Sequence, residues 1–507
     1  MLKRPSLYLL LLTSALLLPL QLHAKVSDVA KQTSQYAADT YQDQMLMSLE
    51  KLVKFNTVAI DGLPSTDNPV HQAFKQELAQ QAKQLGLDYT DHGYIVIIGL
   101  GNSQERLGMI THGDVQPATP AKWAKSPFEL DLTSEPGKLV GRGTEDDKGS
   151  ISNALYAMKS IKDMNIKLNK RIELYVYMAE ESDWAPLETY IKSRSLPQVN
   201  ITLDAEYPVV TAEKGYGTIS MTFPNLNSGS EEVLSESVHL SAFSGGFFGS
   251  QIPEDAQATI ENANEKLLVK LKQAAKSHSG IQYDYQWQAN ALTIKALGKS
   301  AHSSKPENGV NAITYLADLL SFTRWPNNAS GALVNFINDN IGTGLYGEKF
   351  GNVAYSDDFM GPMSLQPTVL KPKEQGIELN INLRRPKGKT AAQLESEINL
   401  TLKQWQQANQ VTLTNLKNYI GEPFVQNNAP QIDTLLNVFS FYTGITDAKP
   451  VAIGGGTNSR LFPNAVSFGP SMPGKEYTGH SEHEFITIEQ FMLNLKMYTA
   501  VLIELAQ

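Results

Sequence analysis

The chain contains no cysteine among its 507 residues. Disulfide bonds, a cysteine nucleophile, a lipid-modified N-terminal cysteine and thiolate metal ligands are therefore excluded. Any bound metal ion must take its ligands from His, Asp and Glu. A surplus of positive charge is also lacking, because 43 Lys and Arg stand against 52 Asp and Glu, and no Lys/Arg run stands out. That balance argues against nucleic acid as a partner.

The N-terminal apolar stretch is too short to form a comfortable membrane span. It covers residues 7–20, follows the basic residues Lys3 and Arg4, and leads to the small residue Ala24. This arrangement predicts a secretory signal peptide over residues 1–24. An uncleaved N-terminal anchor is the alternative. We therefore expect a periplasmic or secreted protein without a stable membrane anchor.

Short apolar runs alternate with helical patterns in the first part of the chain. The runs that predict buried strands are residues 94–98, 107–110, 172–178 and 199–203, and helical spacing covers residues 38–85 and 151–161. Alternation of strand and helix predicts an α/β layer with a mainly parallel sheet.

The pattern changes after about residue 210. Residues 225–237 have a loop composition, residues 292–297 and 377–383 alternate apolar and polar side chains, and residues 308–322 are helical. Such alternation is typical of half-buried antiparallel strands. The tail returns to α/β character and ends in a helix over residues 489–505. We predict one α/β domain, residues 25–209 and 423–507, interrupted by an α+β domain with an antiparallel sheet over residues 210–422.

Reactive side chains follow the ends of the predicted strands. His112 and Asp114 follow one strand, Glu180 and Glu181 another, and Asp204 a third. In an open parallel sheet, ligand sites form at the carboxyl ends of the strands. Two adjacent carboxylates repel each other unless they share a cation or a proton. Each signal alone is also explained by surface charge or a polar loop.

Two further segments carry the same residue types. Glu145, Asp146 and Asp147 precede a predicted helix, where capping and the helix dipole explain one carboxylate but not three. His480 and His483 lie near the C-terminus. Together, His, Asp and Glu at the edge of one predicted sheet suit two divalent ions with nitrogen and oxygen ligands.

The order of these motifs resembles the di-metal exopeptidase and amidohydrolase family of carboxypeptidase G, acetylornithine deacetylase and succinyl-diaminopimelate desuccinylase. Within that family the sequence is most similar to the bacterial PepV-like dipeptidases, over about residues 46–505. The most specific stretches are residues 111–117, 141–149, 179–181, 204–208, 298–302 and 453–457. The resemblance implies a metallopeptidase catalytic domain interrupted by a lid domain that recognises the substrate.

The resemblance also implies the metal ligands. His112 would bind one metal ion and His480 the other, with Asp146 bridging the two. Asp204 would complete the His112 site, and Glu181 the His480 site. Two divalent ions are expected, with zinc as the expected metal and manganese or cobalt as alternatives that this ligand set also accepts.

The resemblance implies the catalytic groups as well. Asp114 would hold the second ring nitrogen of His112. Glu180 would be the general base that takes a proton from a metal-activated water as it attacks the peptide carbonyl. His302, from the lid, would donate to the developing oxyanion, although a polar turn residue is the alternative for this position. The peptide bond between Asp146 and the next residue is expected to be cis.

Recognition of chain ends completes the prediction. Arg384 is expected to hold the C-terminal carboxylate of a small peptide, in preference to Arg385, which alternation points to the other face. Backbone N–H groups of Gly454, Gly455 and Gly456 would help. The function predicted is a metal-dependent dipeptidase. The alternatives are a carboxypeptidase or N-acyl-amino-acid deacylase on the same site, and a non-catalytic periplasmic peptide-binding protein.

One long segment, residues 225–285, departs from the family pattern. We expect it to shape the rim of the substrate pocket. In PepV-like proteins an enlarged lid replaces the partner subunit of smaller relatives, so the long insert favours a monomer over a homodimer.

Overall fold

The computed structural model describes residues 26–225 and 237–507. The predicted signal segment and residues 226–236 of the predicted loop lie outside these ranges. No helix within them has the length and apolarity needed to cross a bilayer. The helices are α1 (Asp28–Val53), α2 (Pro69–Leu85), α3 (Lys148–Asp163), α4 (Ala185–Lys192), α5 (Glu265–Ala274), α6 (Ala312–Leu319), α7 (Ala329–Asn340), α8 (Ala391–Asn409), α9 (Ile432–Thr443) and α10 (Ile488–Ala506).

The strands fall into three groups along the chain. The first group is β1 (Asp88–Asp91), β2 (Ile95–Leu100), β3 (Arg106–His112), β4 (Lys138–Val140), β5 (Arg171–Tyr177), β6 (Val199–Thr202), β7 (Ala205–Glu206) and β8 (Val210–Glu213). The second is β9 (Gly215–Pro224), β10 (His239–Gly245), β11 (Gln251–Ile252), β12 (Asp255–Glu261), β13 (Gln282–Gln288), β14 (Ala291–Leu297), β15 (Ala301–His302), β16 (Ser356–Asp357), β17 (Gly361–Pro362), β18 (Ser364–Lys373), β19 (Gly376–Arg385) and β20 (Thr414–Ile420). The third is β21 (Phe424–Val425), β22 (Val451–Ile453), β23 (Ala465–Ser467), β24 (Pro470–Ser471) and β25 (Phe485–Thr487).

A mixed sheet forms the centre of the first domain. In the described part of the chain its order is β1-β2-β5-β3-β6-β23-β8-β21, with β22 also paired to β8. The central run β5-β3-β6-β23 is parallel, and β1 and β2 add to it as antiparallel strands. Helices α1, α3 and α10 pack together on this sheet, and their apolar residues Leu49, Leu155 and Leu495 are fully buried in one core.

The lid has its own sheet and its own core. Its order is β13-β14-β12-β10-β18-β19-β9-β20, and every neighbouring pair is antiparallel. Buried residues such as Phe223, Phe336 and Leu379 form a cluster separate from that of the first domain. The predicted fold class is therefore confirmed. The chain passes between the sheets at residues 213–215 and 420–424, so β8, which the sequence analysis assigned to the lid, lies in the first sheet.

The helical pattern predicted over residues 38–85 is wrong in its middle part. Helix α1 ends at Val53, and α2 begins only at Pro69. Asn68 caps α2 by accepting a hydrogen bond from the backbone N–H of Val70 at 2.9 Å, and proline at the first helical position has no N–H to leave unsatisfied. The intervening loop carries Thr57, whose hydroxyl donates to the carbonyl of Gly113 beside the candidate site at 2.7 Å.

Candidate metal centre

Three neighbouring parallel strands end at one edge of the first sheet, and each delivers a predicted site residue there. β3 ends at His112, β5 is followed by Glu180 and Glu181, and β6 is followed by Asp204. Because β3 lies between β5 and β6, these side chains project into the same region. Asp146 enters from the loop that precedes α3.

Asp146 lies between two imidazole rings. Its Oδ1 is 3.0 Å from Nε2 of His112, and its Oδ2 is 3.1 Å from Nε2 of His480. Each ring nitrogen also faces a second carboxylate. Asp204 Oδ1 lies 3.8 Å from the His112 nitrogen, and Glu181 Oε1 lies 2.9 Å from the His480 nitrogen. The structure thus brings the five predicted ligands together as two donor sets that share Asp146.

The second nitrogen of each ring is also engaged. His112 Nδ1 lies 3.0 Å from the backbone oxygen of Asp114, and His480 Nδ1 lies 3.1 Å from Oγ of Ser250 in the lid. A carbonyl oxygen only accepts, so Nδ1 of His112 carries a proton. In the neutral ring the lone pair of Nε2 then points at the cluster, which is the orientation that a metal-binding histidine requires.

The carboxylate of Asp114 has a different main partner from the predicted one. The sequence predicts that this group holds the ring of His112. Its Oδ1 lies 3.6 Å from Nδ1 of that ring, and the backbone carbonyl of Asp114 makes the shorter contact at 3.0 Å. The carboxylate instead accepts the backbone N–H groups of Glu180 and Glu181, both at 3.0 Å. Because the end of β5 exposes these two N–H groups beside β3, Asp114 fixes the backbone from which both glutamates extend.

The cluster contains more buried carboxylates than cationic partners. Burial, and then the charge of Asp204, raises the pKa of Glu180 well above its usual value. Burial likewise raises the pKa of Asp204 to about 7. At Asp146 burial acts in the same sense, but hydrogen bonds from His112 and His480 outweigh it and hold the pKa well below the usual range. Carboxylates placed in this way favour a shared cation or proton.

These residues fit a pair of divalent metal ions. The candidate ligand atoms of His112, Asp146 and Glu181 lie within 4.8 Å of one another, as do those of His112, Glu180 and Asp204. The donors are imidazole nitrogen and carboxylate oxygen, a set that zinc, manganese and cobalt all accept. Glu180 comes as near to the cluster as the predicted ligands do, so its charge also acts on the centre.

A buried ion pair supports the loop that carries Asp146. Arg142 Nη1 lies 2.9 Å from Oε2 of Glu484, and both side chains are almost fully buried. The same carboxylate accepts the backbone N–H groups of Gly143, Glu145 and Asp146 at 2.9, 2.9 and 3.0 Å. Sequence reasoning missed this role, because more than 330 residues separate Glu484 from the loop that it holds. Three consecutive acids between Gly143 and Gly149 were a local signal in the loop itself.

Two side chains near His480 differ in their relation to the cluster. The hydroxyl of Tyr477 donates to Oδ2 of Asp146 at 2.7 Å, a contact that the sequence analysis did not predict. His483, the rival candidate for His480, instead contacts Glu135, and its side chain is 52% exposed. The structure therefore places His480, and not His483, against Asp146. The peptide bond between residues 146 and 147 is cis, as the resemblance implies.

His302 reaches the cluster from the lid. Its ring centroid lies 4.6 Å from that of His480. The backbone N–H of Ser304 donates to His302 Nδ1 at 3.2 Å, so this nitrogen is an acceptor and the proton of the neutral ring is on Nε2. Burial, followed by the charges of His480 and Arg384, lowers the pKa of His302 well below its usual value. The ring is therefore a neutral N–H donor at physiological pH.

Arg384 is buried in the same cleft without an acidic partner. Its Nε donates to Oδ1 of Asn382 and its Nη2 to Oγ of Ser303, both at 3.2 Å. No carboxylate in the described ranges forms an ion pair with it. Burial lowers the pKa of Arg384 to about 10, so the guanidinium keeps its charge at neutral pH. The guanidinium carbon of Arg384 lies 4.9 Å from the centroid of the Tyr216 ring.

The glycine loop lies beside the lid. The N–H groups of Gly455 and Gly456 donate to no acceptor in the part of the chain that the structure describes, and both residues line the cleft. At Gly454 a Cβ atom would lie 2.4 Å from the carbonyl oxygen of Ser304, so a side chain here would separate the loop from the lid. The loop thus brings free N–H groups close to His302.

The cleft runs between the two domains and has two different ends. Glu180, His302 and His480 lie in its middle. One end is lined by residues that include Asp204, Glu206, Lys305, Ser471 and Tyr477, and Lys305 pairs with Glu206 there. The other end is lined by residues that include Trp184, Tyr216, Phe248, Arg384, Tyr419 and Arg460.

Known proteins are similar to this chain in sequence and in fold. Residues 108–504 match peptidase family M20/M25/M40. The chain is 29% identical over 418 residues to the putative dipeptidase YtjP of Bacillus subtilis strain 168, covering 82% of this chain and 86% of that protein. It is 28% identical over 478 residues to the Beta-Ala-Xaa dipeptidase of Lactobacillus delbrueckii subsp. lactis, covering 93% and 97%. The crystal structure of human carnosine dipeptidase 1 has the same fold, with a TM-score of 0.57, 15% identity, and coverage of 95% and 99%.

The fold, the site and these matches define a hydrolase, and more narrowly a metallopeptidase. The chain belongs to peptidase family M20/M25/M40, since the family match extends over most of its length. The resemblance predicted from the motifs is thereby confirmed. The individual roles of the site residues stay predictions.

Proposed function

We propose that this metallopeptidase is a dipeptidase that hydrolyses the peptide bond of dipeptides and very short peptides. The observation that carries the proposal is Arg384, a buried, charged side chain without an acidic partner in the cleft that also contains Glu180, His302 and His480. A free C-terminal carboxylate pairs with such a guanidinium through two parallel hydrogen bonds. A carboxylate held there directs the nearest peptide bond towards the candidate metal centre.

Arg384 is the best of three arginines for this task. Arg385 contacts Glu422, and its Nε donates to the carbonyl of Gly421. Arg460 pairs with the buried Glu213 at 3.0 Å. Arg385 and Arg460 thus each form an ion pair with a glutamate, whereas Arg384 forms none within the described residues. The free N–H groups of the glycine loop would add hydrogen bonds to the same substrate.

The side chains of the cleft divide the chemistry among them. His112, Asp204, Asp146, Glu181 and His480 would hold two metal ions, which supply Lewis acidity and make a water nucleophilic near neutral pH.

Glu180 takes the proton of the attacking water and then delivers it to the leaving amine. One of its carboxylate oxygens lies within 4.8 Å of the ligand atoms of His112 and Asp204, which supports a base beside the candidate centre. The Nε2–H of His302 donates to the oxygen of the peptide carbonyl as negative charge develops on it. Loss of one such donor typically costs about 2.7–4 kcal/mol of barrier.

The two relatives support dipeptides as the substrate class. Both carry dipeptidase in their names, and this chain covers 86% and 97% of their lengths. An N-acyl-amino-acid deacylase or a carboxypeptidase on the same site is the competing proposal within enzymes. A substrate with a blocked amine separates them, because a dipeptidase requires a free N-terminus and the other two activities do not.

We further propose zinc as the metal and a monomer as the active unit. The ring of His302 lies 4.6 Å from that of His480 in the same chain, which supports a monomer, and the imidazole and carboxylate donors support zinc. Analytical ultracentrifugation tests this part, and a dimer that loses activity on dissociation would contradict it.

Export to the periplasm is also a proposal. It is supported by the basic and apolar composition of residues 1–24. N-terminal sequencing of the protein from a periplasmic fraction is expected to begin near Lys25. Recovery of the intact N-terminus in the cytoplasm would contradict this proposal.

The main test combines metal removal with a substrate panel. The protein is treated with a chelator, reloaded with zinc, manganese or cobalt, and assayed on Ala-Ala, N-acetyl-Ala-Ala and N-acetyl-Ala. We expect activity on Ala-Ala alone, lost on chelation and restored by metal. Faster cleavage of the N-acetylated compounds would favour the deacylase or carboxypeptidase, and binding without cleavage would favour a peptide-binding protein.

A further inference from the structure

Two neighbouring residues of the lid contact His480, which belongs to the catalytic domain. Ser250 Oγ lies 3.1 Å from His480 Nδ1, and Nε2 of Gln251 donates to the His480 carbonyl at 2.9 Å. Gln251 is almost fully buried. These contacts join residues about 230 positions apart, and Ser250 and Gln251 fall in the segment that departs from the family pattern.

The two candidate metal-binding histidines are therefore supported differently. The second ring nitrogen of His112 is held by the backbone of Asp114, two residues away in the same domain. That of His480 is held by Ser250, across the cleft. A movement that separates the lid from the catalytic domain would leave the contact of His112 in place and break that of His480.

The backbone of His480 adds to this dependence. Its φ is 65°, in the left-handed region that residues with a side chain seldom adopt. Such a conformation is unfavourable and persists where surrounding contacts hold it. The hydrogen bond from Gln251 to the His480 carbonyl is one of these contacts.

Ser250 and Gln251 are also tied to His302. Strand β11 pairs with β15, with Gln251 opposite His302, and the backbone N–H of Ser303 donates to the carbonyl of Ser250 at 2.8 Å. The ribbon that carries His302 to the centre thus also carries the two residues that contact His480.

We infer that Ser250 and Gln251 are positioning residues that couple the position of the lid to metal binding at the His480 site. The inference rests on the proposed metal centre. When Nε2 of His480 faces Asp146 and Glu181 as a ligand, its lone pair must be free, so Nδ1 carries the proton and Ser250 Oγ accepts it. Removal of such a partner typically weakens metal binding about 10- to 100-fold. A ligand that closes the lid then tightens the metal at this site, and the metal in turn favours closure.

The test titrates metal-free protein with Zn²⁺ against a chromophoric chelator, with native mass spectrometry to count the bound ions. Wild-type protein is expected to bind two ions tightly. S250A is expected to keep one and to bind the other about 10- to 100-fold more weakly, whereas S250T, which keeps a hydroxyl, restores the affinity. The control K299A removes another contact between the domains, Lys299 to Glu476 at 2.9 Å with both side chains 55% exposed, and is expected to bind as the wild type does.

The weakened ion is assigned by a second variant. In an H480A background, S250A is expected to cause no further loss of Zn²⁺ affinity, because the imidazole that Ser250 supports is already absent. Unchanged binding in S250A, or equal weakening of both ions, overturns the inference. If S250A does not fold, Q251A must show the same selective loss. Wild-type protein that binds fewer than two ions contradicts the proposed centre itself, which is a distinguishable result.

Discussion

Replacement of Glu484 by Gln is expected to destabilise the protein by about 3–5 kcal/mol, the usual cost of breaking a buried ion pair by removing one partner. The carboxylate is fully buried, lies 2.9 Å from Arg142 Nη1 and accepts three backbone N–H groups, those of Gly143, Glu145 and Asp146. Glutamine keeps the volume but leaves the guanidinium without a counter-ion. The NH₂ group of glutamine is itself a donor, so it faces an N–H group where the carboxylate oxygen accepted a hydrogen bond.

The assay is urea unfolding of the metal-free protein, so that loss of metal does not contribute. The matched control is Glu422→Gln, which removes the acid of another arginine pair. Glu422 contacts the buried Arg385 but is itself 72% exposed, so we expect a loss of about 1 kcal/mol or less. If the two variants shift the unfolding midpoint equally, burial is not the source of the effect and the reasoning fails.

Three further predictions concern single residues. Glu180→Gln is expected to keep its metal content while kcat falls about 10²- to 10⁴-fold, and nearly wild-type turnover would exclude Glu180 as the base. Arg384→Met is expected to lose about 2–5 kcal/mol, or about 30- to 5000-fold in kcat/KM for Ala-Ala, but little for the amide Ala-Ala-NH₂; equal losses would contradict carboxylate binding. Because burial lowers the pKa of His71, the unfolded chain takes up a proton first as the pH falls below about 6.5. Metal-free protein should therefore lose stability between pH 7 and 5 more steeply than His71→Gln, and parallel pH profiles would refute this.

The sequence predicted the catalytic sheet and the position of the site because both depend on local patterns. The sequences of β3, β5 and β6 contain apolar runs because these strands are buried on both faces of the sheet. The polar residue after each run lies at the edge of the sheet where ligands bind. His112, Glu181 and Asp204 were therefore found without knowledge of the strand order. The motifs around Asp146 and His480 supplied the rest through the family resemblance.

The contacts that the sequence did not predict connect residues far apart in the chain. Glu484 holds the Asp146 loop, and Ser250 holds the ring of His480, through geometry that no periodicity records. Asp114 was correctly placed beside His112, but the backbone carbonyl and not the carboxylate makes the shorter contact with the ring, and the carboxylate accepts the N–H of Glu180. The choice between carboxylate and carbonyl depends on the local backbone direction. The break between α1 and α2 was missed because the apolar spacing on both sides was interpreted as one pattern, although Gly62, Pro64 and Pro69 between them mark an interruption.

Anomalous diffraction from crystals of zinc-loaded protein tests the central claim most directly. We expect two peaks between the domains, one bound by Nε2 of His112 and the other by Nε2 of His480. Asp146 should bridge them, with metal–ligand distances of about 2.0–2.2 Å. A single peak elsewhere, or fully active crystals in which these side chains bind no transition metal, would contradict the account.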